Sequence, residues 1–226
     1  MEQRWIRLSG PAAGIVFVVL LGVGTALAQG APTPDKSAGT TLTWYASHRG
    51  TVLAFGLLSG LAAMVFLWFL AHVRHTVSGH PAGGRVAGTL AISGTAMATT
   101  AMVSTLPPVA LAILANRPGV TPDPSLVRML ADLNSLFFGA IGLFFVVFVL
   151  AFALTFFAGA LAPKWVGWIA LVAGILGLVG SSAARFPDTN GKPFGLTFLG
   201  FIALIGLLLS ILITSITMLR TETAAT

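Results

Sequence analysis

The sequence predicts an all-α, polytopic transmembrane bundle of about six helices, and three observations predict it. Of the 226 residues 56% are hydrophobic and 8% charged, whereas a soluble domain carries about 25% charged residues. Uncharged runs recur along the whole length, at 11–28, 51–71, 86–115, 133–162, 165–184 and 194–219. Each reaches the roughly 17–25 residues that a helix needs to cross a bilayer. The runs are apolar on every face instead of alternating, which argues against a transmembrane barrel, and backbone amides in lipid must then pair within a helix.

The first run, 11–28, has two readings. Arg4 and Arg7 precede it, Ala26-Leu27-Ala28 closes it, and the polar stretch from Gln29 follows. Small residues at those positions suit a cleaved secretory signal peptide, and the run is also long enough to be a first transmembrane helix. Residues 1–29 are therefore a signal peptide or a first helix, residues 30–226 are a helical bundle, and cleavage would leave five helices. Either reading puts residue 29 outside. Alternation then puts 32–49 outside, 72–85 inside, 117–128 outside, Lys164 inside, 185–192 outside and Arg220 with the carboxyl terminus inside. Lys and Arg number six on each side, so the positive-inside rule gives no direction. The basic amino terminus sets the expected orientation, that of a multi-pass protein of the bacterial cytoplasmic membrane with a cytoplasmic carboxyl terminus.

Punctuation marks the second to fifth runs. Trp44 and Tyr45 sit just before the second and suit the headgroup level. In the third, Pro107 and Pro108 remove two backbone donors, so a kink or break is expected there. The fourth and fifth are joined by Ala162-Pro163-Lys164-Trp165-Val166-Gly167-Trp168, a short hairpin with proline in the first helical turn and two interfacial tryptophans. This hairpin, with the phenylalanine-rich helix from Asp132 that leads into it, resembles a family of uncharacterised bacterial multi-helix membrane proteins common in actinobacteria. In that family a Leu-Pro-Arg-Trp-x-Gly-Trp hairpin follows an Asp-Leu-bearing helix. Ala162 and Lys164 depart from the pattern, and the likeness covers about a sixth of the 226 residues. It implies a fold of about six helices and no established activity.

Residues able to carry chemistry are few. Asp132 stands out because ionisable groups near lipid are costly. Arg128 lies four residues earlier on the same helical face, so an Arg128–Asp132 pair is expected at the outer boundary, with Asn134 extending the polar patch. The pair reads either as an interfacial anchor or as the vestibule of a ligand site. His72, His75 and His80 are weak candidates for a divalent metal, and a solvated loop beside headgroups explains them equally. Small residues at Ala91, Thr95 and Thr99, and at Ala170, Gly174, Gly177 and Ser181, are expected to let helix backbones approach closely. Phe138, Phe145, Phe148, Phe152 and Phe156 form a stripe expected to face lipid or a partner, with the two small-residue helices interior or tightly paired.

Cysteine is absent, which removes disulfides, thiolate nucleophiles and cysteine-ligated metals. No Gly-x-Ser-x-Gly elbow or His-Glu-x-x-His helix occurs. The net charge of +6 comes from basic residues scattered singly or in pairs at helix ends, which points to lipid phosphates and away from nucleic acid. Three functions follow in order: a non-enzymatic accessory or packing subunit with a protein partner in the membrane, a small transporter or receptor for a hydrophobic molecule using Arg128 and Asp132, and an intramembrane lipid-acting enzyme. No cofactor is expected.

Overall fold

The structure is a computed structural model that describes residues 2–33, 35–80, 83–161, 163–185 and 198–224. Eight helices and no strands occur among them: α1 (Glu2–Leu27), α2 (Ala38–Ser47), α3 (Arg49–Ser78), α4 (Gly84–Ser104), α5 (Leu106–Leu114), α6 (Pro124–Phe157), α7 (Lys164–Arg185) and α8 (Phe198–Ala224). Six spans are long and apolar enough to cross a membrane, with α4 and α5 together making one of them. The chain is a multi-pass membrane protein. The first residues of the sixth predicted run, 194–197, and the hairpin residue Ala162 lie outside the described residues.

The six spans form a ring in chain order. Each packs on the next, from α1 through α3, α4, α6 and α7 to α8, and α8 returns to α1. Successive spans run in opposite directions, so an even number closes the ring with every neighbour antiparallel. One end carries the start of α1, the end of α8, the α3–α4 turn and the α6–α7 turn. The other carries α2, α5 and the start of α6.

Phenylalanine fills the centre of the ring. Phe17 of α1 meets Phe66 of α3 at 4.9 Å between ring centroids, and Phe66 meets Phe148 of α6 at 5.4 Å. The column continues down α6 through Phe152 at 5.6 Å and Phe156 at 4.8 Å. Phe145, Phe148, Phe152 and Phe156 are buried, while Phe138 is 67% exposed. This corrects, for all but Phe138, the expectation that the stripe faces lipid or a partner. Lipid tails are as apolar as the protein, so the bilayer does not sort large apolar residues outward; dispersion between tightly packed atoms decides which face turns in. Four rings spaced by three or four residues on one α6 face supply more such contacts than the small faces do.

Small residues instead set the distances between neighbouring helices. A Cβ built on Gly142 of α6 would overlap Ser181 of α7, and one on Gly177 of α7 would lie within 2.8 Å of the Phe145 ring. Gly180 of α7 faces the backbone of Gly200 in α8 directly. Ala170, Gly174 and Gly177 are buried and Ser181 is half-buried. Gly174 has room, its added Cβ coming no nearer than 3.5 Å to Leu150. On α4 the expected face is displaced: Thr95 and Thr99 are exposed and Ala91 half-buried, while Leu90, Ser93, Gly94, Met97 and Ala98 turn inward. The buried set is one helical face shifted from the expected one, because Leu90 and Met97 bring more contact area than the threonines.

The expected break at the two prolines separates α4 from α5 at Thr105. It falls ahead of Pro107 and Pro108 because their nitrogens cannot donate to the carbonyls four residues earlier. Two hydroxyls bond back to carbonyls in the last turn of α4: Ser104 Oγ donates to the Ala101 oxygen and Thr105 Oγ1 to the Met102 oxygen, each at 2.7 Å.

Candidate functional site at the capped end

The helices differ in length from what a bilayer demands, and the difference builds a second structure at one end. α6 has 34 residues, about 51 Å at 1.5 Å per residue, against a hydrocarbon core of about 30 Å. About its first four turns therefore overshoot the apolar layer if its last residues sit at the opposite boundary. The overshoot is clasped by α2 and α5 around a small core of Tyr45, Val52, Leu111, Ala112 and Val127. Burial raises the Tyr45 hydroxyl above its ordinary pKa, so it stays protonated.

Side chains at the helix starts hold this cap in place. Ser37 precedes α2 and its Oγ accepts from the Thr40 amide at 3.2 Å. Within α2 the Trp44 ring stacks on His48 at 4.3 Å and meets Tyr45 edge-on at 5.0 Å. Asp123 precedes α6, accepting from the Ser125 amide at 2.7 Å and from Ser125 Oγ at 2.6 Å. These bonds hold its carboxyl below the usual range. A depressed folded value means that the cap contributes above the unfolded pKa and loses its contribution as pH falls through the folded one. Amide protection at the start of α6, taken relative to the intrinsic exchange rate at each pH, should accordingly fall on acidification below the ordinary carboxylate range. Asp123→Asn, whose amide oxygen still accepts, should remove that pH dependence, as hydrogen exchange at Ser125–Val127 will measure.

Arg128 and Asp132 lie on the overshooting part of α6, and both are exposed. No ion pair joins them among the described residues, where the pair formed is Lys36 Nζ to Asp35 Oδ2 at 3.7 Å. The expected pairing is thus corrected. Four-residue spacing puts the two groups on one face, but an exposed pair gains only about 0–1 kcal/mol, too little to hold two long side chains together. Asn134 is half-buried two residues further in. The structure places beside the two charges a feature that the sequence reading passed over. Leu126, Met129, Leu133 and Leu136 are all exposed, and their spacing of three, four and three residues makes one apolar stripe. Val127 and Leu130, on the other side of the helix, face the cap core.

The histidines sit at the opposite end of the ring and do not converge. His72 lies against Gly10 of α1 and within electrostatic reach of Glu222 in α8. His75 is exposed, and His80 occupies the α3–α4 turn with its Nδ1 buried and unpartnered. No group of three His, Asp or Glu able to hold a metal occurs among the described residues. Two imidazoles three residues apart share a helix side, but here a neighbouring helix covers one of them and not the other.

One family model matches the chain, a domain of unknown function designated DUF4386, over residues 12–214. No curated protein and no solved structure matches it.

Proposed function

The chain belongs to the DUF4386 family, and from that premise we propose that it is a non-enzymatic accessory or packing subunit of a membrane complex. The observation that carries this reading is the apolar stripe on the overshooting start of α6. Leu126, Met129, Leu133 and Leu136 are presented outward, with Arg128 and Asp132 along one border of the stripe. Apolar positions alternating by three and four with charges beside them are the pattern by which one helix receives another. The partner is a helix of a second membrane protein, lying along α6 and extending past the hydrocarbon boundary.

The interior supports the same conclusion. A ring whose centre is packed with aromatic side chains offers its outside, not its middle, for recognition. The orientation belongs to this proposal too. The end holding the start of α1 and the end of α8 faces the cytoplasm of a bacterium, where Arg4 and Arg7 lie. Trp5, Trp68, Trp165 and Trp168, all exposed near that end, suit the headgroup level. The hairpin at Lys164–Trp168 anchors the chain in that layer.

Photocrosslinking in intact cells tests the proposal. A photoreactive residue at Met129 or Leu136 should give one discrete protein adduct, and the same residue at Ile175 or Leu178, on the lipid side of α7, should give lipid adducts alone. Lipid adducts alone from all four positions would contradict it.

A further inference from the structure

The ring closes only through α1, and how it does so bears on the fate of that helix. The sequence from Gly10 to Gly14 places two glycines four residues apart on one face, the spacing that lets helix backbones touch in lipid. Gly10 lies directly beneath the His72 ring of α3. One turn on, Gly14 meets Ser215 of α8 and the Phe69 ring of α3. Neither position has space for a Cβ. Ser215 Oγ is buried and without a hydrogen-bond partner. It rests on the Gly14 backbone, a geometry in which a Cα hydrogen is the donor within reach.

Further contacts fix α1 along its length. Trp68 Nε1 donates to Ser9 Oγ at 3.0 Å, and Ala13 and Phe17 belong to the central core. Without α1, Phe66 and Phe69 would lose the packing of Phe17 and Gly14 and face lipid. A second observation is independent of the packing: the family match begins at residue 12, inside α1, so most of this helix is part of the family's domain. A removable leader has no role in the folded domain, and its sequence need only satisfy the export machinery.

We infer that α1 is a permanent wall of the bundle, docked by its Gly10–Gly14 face into the groove between α3 and α8, and that the peptidase-like Ala26-Leu27-Ala28 stretch is not cut. Six retained spans then put both ends of the chain on one side of the membrane.

The test is the intact mass of the protein, expressed in a bacterial host with a carboxyl-terminal tag and purified from membranes. The uncut mass, 23.3 kDa plus the tag, is expected; a product lacking the first 28 residues overturns the inference. The docking face is tested separately by Gly14→Leu and Gly22→Leu, since an added Cβ at Gly22 meets nothing. Gly14→Leu should lower the apparent Tm in detergent by several degrees and Gly22→Leu should leave it unchanged. Equal behaviour of the two overturns the docking of α1 through Gly14.

Discussion

Phe148→Ala is expected to destabilise the bundle by about 3 kcal/mol in reversible unfolding from mixed micelles, while Phe138→Ala changes it by less than about 0.5 kcal/mol. Phe148 is fully buried between Phe66 and Phe152, and Phe138 is largely exposed on the same helix. The figure for Phe148 is the low end of the range for buried Phe→Ala in water-soluble cores. Lipid solvates the ring in the unfolded state about as well as the core does, so the cavity and the lost dispersion contacts supply the cost. Equal effects of the two substitutions would mean that α6 is rotated from the orientation described.

The second large effect is expected at Gly180. A Cβ there would fall on the Gly200 backbone, which cannot swing aside as the end of a flexible side chain can. Gly180→Ala must therefore push α7 from α8, at a cost of about 1–3 kcal/mol. At Gly174 the same substitution meets ordinary van der Waals contact at 3.5 Å. Gly174→Ala should be neutral or stabilise by up to about 1 kcal/mol, the difference in helix propensity. The same unfolding assay ranks the two variants, and a larger loss at Gly174 would reject the α7–α8 packing.

Much of the architecture was legible in the sequence, for one physical reason: a bilayer imposes length and apolarity on each span and forbids unpaired backbone, so six apolar runs can hardly be anything but helices. The proline pair was legible too, because a missing donor acts locally. Which face turns inward was not. In water, polarity separates the faces of a helix; in lipid both faces of α6 are apolar, and only packing distinguishes Phe148 from Phe138. Hence the phenylalanine stripe was placed outside when its rings fill the centre, whereas the close pairing expected of the small faces on α7 is found, with glycines setting the spacing between neighbours.

The site was legible in part. Arg128 and Asp132 drew notice as charges, but pairing between exposed groups is a matter of tenths of a kcal/mol, which spacing cannot decide. The stripe at Leu126, Met129, Leu133 and Leu136 was open to view and passed over, since in a chain so rich in leucine an apolar period of three and four residues carries little contrast. Its meaning depends on α2 and α5 covering the opposite side of α6, and that is a tertiary fact. Gly10 and Gly14 have the same history: the spacing was present, and only the helices on either side of α1 show what it meets.

The central claim is a closed ring in which α8 returns to α1, and the absence of native cysteine allows it to be tested in the membrane. Val18→Cys combined with Ile211→Cys places two thiols on the α1–α8 contact, one turn along each antiparallel helix from Gly14 and Ser215 and away from the glycine that has no space for a Cβ. A second chain carries Ile92→Cys with Ser215→Cys, on α4 and α8, which are not neighbours in the ring. Each chain is given a protease site in the loop at 117–122, oxidised in membranes and then cleaved. The closed ring predicts that the fragments of the first chain stay joined until reductant is added and that those of the second separate at once. Fragments of the first chain that separate without reductant would contradict the closure.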